Sequence, residues 1–187
     1  VDFAESYTTP PTVLAQGNWF SLGGEYFPQK INDVAYSIDK ISTTGFEIKY
    51  GKSSLDRSYL GFNILAFGPD MPTENVNHGI IVACTYAKDD PAHTSSMFGI
   101  TVVDEGCSDP LQDYFRGVQI LFDSQFSDIP TVIVTPYAYN KMWEEGGIPR
   151  CVVEDISRTS TRVKCGLIFE DKYEPIPFTV VAVGTTK

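Results

Sequence analysis

The chain has 187 residues, and its 24 acidic side chains against 14 basic ones give a formal net charge of −10. Net repulsion argues against nucleic acids and anionic lipid surfaces as partners. Hydrophobic residues make up 42%, which is apolar surface that disordered chains lack. No run approaches the roughly 20 apolar residues of a membrane helix, and Val1 opens into a polar segment without a signal peptide's regions. We expect a folded protein without membrane insertion.

Short runs rich in β-branched and aromatic residues recur between turn-forming clusters along the chain. Strict alternation over 33–38 and 46–50, separated by Ser42-Thr43-Thr44-Gly45, predicts a hairpin. Near-continuous apolar runs predict buried sandwich strands at 80–83, 117–122 and 179–183. A helical turn is indicated only at 109–115. The predicted fold class is all-β.

An internal repeat organises these elements. Segments 3–14 and 122–133 align without gaps, each with an aromatic residue, a second aromatic four residues later, and then Pro-Thr-Val. Three further matches follow in the same order: 18–24 with 140–147, 34–44 with 152–160, and 62–68 with 178–184. We therefore predict two antiparallel β-sandwich units in tandem, at 1–68 and 99–187, with a connector at 69–98 that contains a strand.

The pattern of the first unit resembles the H-type lectin domain of snail agglutinins and slime-mould discoidins. Its residues are Phe3, Tyr7, Pro10-Pro11, Val13-Leu14, Thr44-Gly45-Phe46 and Tyr59. The second unit resembles it more weakly, since Ser160-Thr161 replaces the Gly-Phe turn. The resemblance implies a small antiparallel sandwich that binds galactose or N-acetylgalactosamine, assembles as trimers or hexamers, and works in secreted or cell-surface recognition and adhesion. A fused pair can instead pack its two units together as a monomer.

The sugar site implied by the resemblance is incomplete here. The family holds sugar with an Arg, a Trp-His pair and a Tyr; the corresponding positions read Asp33, Ser53 with Ser54, and Tyr59. Only the Tyr matches, and segment 164–170 of the second unit also lacks the Trp-His pair. Without the guanidinium donors and the aromatic platform, we expect the usual site to be absent from the first unit.

Two tryptophans remain as candidate ligand contacts. Trp19 and Trp143 occupy equivalent predicted loops beside paired glycines. An indole in each loop could stack on a sugar ring or dock on a protein partner, and two copies would give avidity. The alternative is that each Trp plugs the open end of its own sandwich. With Tyr59, these residues are the predicted ligand-binding positions.

The four cysteines, Cys84, Cys107, Cys151 and Cys165, form no Cys-x-x-Cys pair, which favours disulfides and an oxidising compartment over zinc. Buried free thiols are the alternative reading. The resemblance implies the pairing of Cys107 with Cys165, which leaves Cys84 with Cys151. A local bond between Cys151 and Cys165 across the hairpin around Arg158 is a second option if their Cα atoms lie within about 7 Å. Both pairings remain open.

The sequence gives poor signals for catalysis or metal binding. Any triad would need His78 or His93 by default, and no nucleophile elbow surrounds a serine. Acidic clusters lack a calcium-loop pattern, so no metal and no cofactor is predicted. The chain is interpreted as a non-enzyme that binds a glycan or glycoprotein. The alternative is a protein-binding or structural subunit on a lectin scaffold that has lost sugar affinity.

Overall fold

A computed structural model describes residues 1–21, 35–51, 58–69, 75–82, 95–106, 116–137, 148–169 and 172–187. These residues contain strands, turns and no helix, which confirms the all-β class. The helical turn expected at 109–115 lies outside them. The described strands are β1 (Thr12–Ser21), β2 (Ala35–Asp39), β3 (Glu47–Gly51), β4 (Ser58–Phe67), β5 (Val76–Ile81), β6 (Ser96–Phe98), β7 (Ile100–Asp104), β8 (Val118–Phe122), β9 (Thr131–Pro136), β10 (Ile148–Glu154), β11 (Ser160–Phe169), β12 (Lys172–Pro175) and β13 (Phe178–Val183).

The N-terminal part contains two antiparallel ladders. Strands β1 and β4 pair from Thr12 opposite Phe67 to Ser21 opposite Ser58. Strands β2 and β3 pair around the turn that follows Asp39, as the alternating pattern predicted. Together they make an N-terminal unit of two facing ladders, consistent with a sandwich.

The C-terminal part contains two larger sheets, again consistent with a sandwich unit. One sheet has the order β10-β11-β8-β7, with β12 also paired to β11. The other has the order β6-β5-β13-β9 and is called the central sheet below. Strands β5 and β6 come from the predicted connector, 69–98, and β5 pairs with β13 from Ile81 opposite Phe178 to Val76 opposite Val183. The connector therefore completes a sheet of the C-terminal unit.

Two hydrophobic cores lie on either side of the central sheet. The C-terminal core contains Ile81, Val118, Phe126, Val163 and Phe178 among others. The N-terminal core is built from Val13, Ala15, Ile38, Phe46, Ile80, Val82 and Tyr137. Because neighbouring residues of a strand face opposite sides of the sheet, β5 supplies Ile81 to one core and Ile80 to the other. The N-terminal core thus includes side chains from beyond residue 67.

Two turns, one in each unit, have the same hydrogen bonds. The Ser42 amide donates to the Gly45 carbonyl at 2.8 Å, and the Ser42 hydroxyl accepts from the Gly45 amide at 3.1 Å. In the second turn the Ser157 amide donates to the Ser160 carbonyl at 2.8 Å, and the Ser157 hydroxyl accepts from the Ser160 amide at 2.9 Å. Serine favours such turns because its hydroxyl replaces a backbone acceptor.

A residue with positive φ precedes each serine turn. Lys40 has φ 48° and Asp155 has φ 49°, two residues before Ser42 and Ser157 respectively. Few non-glycine residues occupy this left-handed region, so its occurrence at the same place in both turns is informative. The two hairpins share an unusual backbone conformation as well as a hydrogen-bonding pattern.

Cys151 forms a disulfide with Cys165. The two residues lie directly opposite each other in the β10–β11 ladder, with their Cα atoms 4.1 Å apart. The pairing implied by the resemblance, Cys107 with Cys165 and Cys84 with Cys151, is therefore wrong, and the local alternative is found. The physical reason is the register of the β10–β11 hairpin, which places Cys151 directly opposite Cys165 and within bonding distance of it. Cys84 and Cys107 lie outside the described residues.

We expect replacement of both Cys151 and Cys165 by alanine to lower the free energy of unfolding by about 2–3 kcal/mol. The bond closes a loop between residues 14 positions apart, so it removes a modest amount of entropy from the unfolded chain. Urea denaturation of the variant and of the oxidised parent measures the difference. Reduction of the parent at neutral pH breaks this bond too and should lower its midpoint at least as far; an unchanged midpoint in both cases would contradict a stabilising role.

Candidate functional site

Two of the three predicted ligand contacts lie at one end of the β1–β4 ladder. Trp19 is opposite Leu60, and Tyr59 is opposite Phe20, so they belong to adjacent rungs. The prediction that Trp19 lies in a loop is wrong, because β1 continues through it to Ser21. The long, ungapped pairing with β4 explains the difference: the backbone of Gly17 and Asn18 continues the ladder although these residues favour turns.

Other candidate positions fall outside the described residues. These are Trp143, Asp33, Ser53, Ser54 and His93. Their predicted roles, or the loss of the family's contacts at these positions, stay predictions. The structure therefore brings Trp19 and Tyr59 together at the level of the backbone and leaves the rest of the predicted site open.

His78 is fully buried where the N-terminal unit meets the central sheet. Its Nδ1 lies 2.7 Å from the Thr12 hydroxyl oxygen of β1. Its ring is 4.9 Å from that of Phe98 in β6 and 5.7 Å from that of Phe67 in β4, with interplanar angles of 26° and 35°. Its Nε2 has no hydrogen-bond partner among the described residues.

Burial lowers the pKa of His78 to about 4, because a charged imidazolium would lose its hydration. The ring is therefore neutral at pH 7. A general base must reach the proton that it takes from a substrate, and His78 exposes no surface on which a substrate could bind. This location therefore does not support His78 as the histidine of a catalytic triad.

Buried hydroxyl groups connect β1 to the face of the central sheet. The Thr179 hydroxyl donates to the Val13 carbonyl at 2.8 Å. The Thr135 hydroxyl donates to the Ala15 carbonyl and accepts from the Ala15 amide, both at 3.3 Å. Each bond satisfies a buried polar group that would otherwise cost free energy. Sequence reasoning missed this junction, since threonines within apolar strands look like ordinary strand formers.

An open groove of about 420 Å³ lies beside the ends of β5, β6 and β7. Its described lining combines apolar side chains with polar surface, and Glu105 is its charged member. The described lining residues are Ile81, Val82, Ser95, Met97, Val102, Val103 and Glu105. Three separate strands contribute this lining, so no local motif could have indicated the groove.

The described ranges hold no cluster of three or more His, Cys, Asp or Glu side chains that could bind a metal ion. Nor do these ranges contain a helix with the length and apolar character needed to cross a membrane.

Comparison with protein families identifies the N-terminal unit. Residues 1–67 match the model of the H-type lectin domain. This stretch, about a third of the chain, is similar to the H-type lectin domain and takes that name. The match confirms the resemblance drawn from Phe3, Thr44-Gly45-Phe46 and Tyr59, over 67 of the 187 residues. Comparison with curated proteins and with solved structures gave no significant match.

The family match indicates a carbohydrate-binding lectin module, with a glycan as the kind of partner. H-type lectin domains are in general non-enzymatic, and lectin domains are typically extracellular or displayed on a surface. The N-terminal core of this domain is completed by Ile80, Val82 and Tyr137, which lie outside the matched range.

Proposed function

We propose that the protein is an extracellular recognition or adhesion module that binds a carbohydrate or glycoprotein through a duplicated H-type lectin scaffold. The observation that carries the proposal is the family match over 1–67. The proposed units are 1–68 and 99–187, joined by the connector 69–98. Two binding units in one chain would raise avidity for a multivalent glycan without any additional contact.

Matching local geometry supports the duplication. Asp39 pairs opposite Glu47 as Glu154 pairs opposite Arg162, at equal distances from the two serine turns. An ion pair crosses each hairpin, between Lys49 and Asp39 in the first and between Lys164 and Glu154, at 3.1 Å, in the second. Shared turns, shared register and a shared ion pair are what descent from a single unit would leave behind.

Trp19 and Tyr59 are the proposed contacts in the first unit, and Trp143 is the proposed contact in the second. Trp19 and Tyr59 stand on adjacent rungs at this end of the ladder, and since successive rungs of a ladder face opposite sides, they are proposed as two separate contacts. An indole or phenol ring offers a flat apolar face that suits the C–H face of a sugar. A position in a strand also fixes the backbone of a contact more firmly than a loop does.

A second candidate function is recognition of a protein partner by a scaffold that has lost sugar affinity. The observation that favours it is the set of departures at Asp33, Ser53 and Ser54. An acidic side chain where the family has an Arg removes the donors that a sugar hydroxyl would use. The two candidates therefore differ in whether Trp19 and Trp143 contact glycan or protein.

A glycan array tests the proposal directly, with the full chain applied in the presence and absence of calcium. We expect binding to terminal galactose or N-acetylgalactosamine. Trp19→Ala and Trp143→Ala should each weaken binding by about tenfold or more, which corresponds to about 1.4 kcal/mol. Trp19→Phe retains an aromatic face and should lose less. Ile129→Ala, at an exposed position, serves as the control for a surface change.

Two outcomes would contradict the proposal. Silence across the array, with the wild-type chain folded, would favour the protein-binding alternative, which a pull-down with the same Trp variants then tests. Equal losses of stability and of binding in Trp19→Ala would indicate that the indole plugs the core, and would remove it from the proposed site.

A further inference from the structure

His78 lies at the junction between two parts of the chain that are distant in sequence. Thr12 and Phe67, in β1 and β4, contact it from the H-type lectin domain. Phe98 in β6 contacts it from the central sheet, in which His78 itself belongs to β5. These four residues are called the His78 cluster. The imidazole is thus held by side chains from both sides of the junction.

The cluster offers no countercharge to an imidazolium. The sequences of β1, β4, β5, β6 and β13, which surround the ring, contain no Asp, Glu, Lys or Arg. Tyr59 is the other titratable residue in these strands, and it lies eight positions from Phe67 along β4, roughly 27 Å away. Asp104 of β7, which also packs on β5, is exposed and accepts a hydrogen bond from the Gly106 amide.

We propose that protonation of His78 releases the β1–β4 ladder from the central sheet, so that the junction between the two units opens in acid. An imidazolium needs two hydrogen-bond acceptors, and the Thr12 hydroxyl supplies one. Its Nε2 would remain buried among apolar rings. Separation of β1 and β4 from the sheet gives the charged ring access to water. This inference concerns the junction and does not depend on glycan binding.

The direction of the pH effect follows from linkage. The folded-state pKa of His78 is lowered to about 4, whereas an exposed histidine titrates near 6.5. Between these values the open state binds more protons than the closed state. The closed junction is therefore fully stable above about pH 6.5 and loses stability as the pH falls toward 4. The opening equilibrium should rise by up to about tenfold for each pH unit in this window.

Hydrogen exchange of the full chain tests the proposal, read as protection factors that correct for the intrinsic rate at each pH. Between pH 6.5 and 4, protection in β1 and β4 should fall by up to about tenfold per pH unit, while β8 and β11 stay protected. His78→Phe keeps an apolar ring and removes the titration, so its protection should not change in this window. His93→Gln is the matched control, since the chain has two histidines, and should behave as the wild type does.

Three results would overturn the proposal. These are an unchanged acid response in His78→Phe, an acid response lost in His93→Gln, and an equal loss of protection in all four strands. If His78→Phe does not fold, NMR of the wild type with labelled histidine gives the decision. A His78 titration midpoint near 4 that coincides with exposure of β1 and β4 supports the proposal, and a midpoint near 6.5 overturns it.

Discussion

Replacement of Tyr137 by alanine is expected to destabilise the H-type lectin domain, although Tyr137 lies 70 positions beyond the end of its family match at residue 67. The side chain is 2% exposed and packs in the N-terminal core with Val13, Ile38 and Phe46. Its backbone forms a bridge to Ile38, and its amide donates to the Pro177 carbonyl at 2.9 Å. Truncation of a buried aromatic residue costs about 3–5 kcal/mol.

That loss is a large share of the roughly 5–15 kcal/mol that stabilises a domain. Urea denaturation measures its size, and hydrogen exchange locates it. We expect protection to fall first in β2 and β3, since Ile38 and Ile48 would face the new cavity. Tyr137→Phe keeps the ring and is the matched control, with an expected loss of at most about 1 kcal/mol. Protection lost only from β8 and β11 would contradict a role for Tyr137 in the N-terminal core.

The physical reason for this prediction is that both units contribute side chains to the N-terminal core. Ile80 comes from β5, which pairs in the central sheet, and Val82 directly follows that strand, yet both pack with Val13 and Ala15 of the H-type lectin domain. The Thr135 and Thr179 hydroxyls also bond to the backbone of β1. An interface with a continuous apolar core and satisfied polar groups resembles the interior of one domain more than a transient contact.

Local pattern was sufficient to predict the class of fold and its hairpins. The alternation around Ser42 fixed β2 and β3 within a residue or so, and the apolar run at 179–183 became β13. Such elements depend on neighbours in sequence, which a single chain displays. The H-type lectin pattern was recognisable for the same reason, since its aromatic, Pro-Pro and Gly-Phe positions recur at fixed spacing.

Long-range pairing was harder to predict, because it depends on which strands meet. Nothing local in 76–81 indicates that this strand joins β13, or that its two faces serve different cores. The burial of His78 follows from that same pairing and was missed. The disulfide shows the converse case: hairpin register favoured Cys151 with Cys165, whereas the resemblance implied a different partner.

The candidate site was predicted only in part. Trp19 was assigned to a loop because paired glycines stand beside it in the sequence, yet ten rungs of pairing with β4 carry the strand through it. Pairing energy accumulated over a long ladder outweighs the propensity of single residues. The adjacent placement of Trp19 and Tyr59 depends on this register, which no local pattern reveals.

Replacement of Phe126 by alanine is the second change expected to have a large effect. The side chain is fully buried, and its ring meets that of Phe122 edge to face, with centroids 5.2 Å apart. The ring also lies against Gly184, where an added Cβ would be 2.9 Å from it. Loss of the ring removes contacts in the C-terminal core, so we expect the free energy of unfolding to fall by about 3–5 kcal/mol.

Tyr7 provides the matched comparison in the other unit. Its ring meets Phe3 edge to face at 5.0 Å and lies against Gly68, where an added Cβ would be 2.8 Å away. Because Tyr7 is only partly buried, Tyr7→Ala should cost about half as much as Phe126→Ala. Phe126→Leu retains most of the apolar volume and should cost less than Phe126→Ala.

Chemical denaturation of the three variants tests whether the two aromatic pairs have the same structural role. If each pair anchors the first strand of its unit against the serine turn, both alanine variants lose stability in proportion to burial. Backbone hydrogen bonds support this role. The Phe126 amide donates to the Arg158 carbonyl at 3.0 Å, and the Tyr7 amide donates to the Thr43 carbonyl at 2.8 Å, so each residue is bonded to the serine turn of its unit. A larger loss in Tyr7→Ala than in Phe126→Ala would contradict this ordering and would weaken the argument that the two units descend from one.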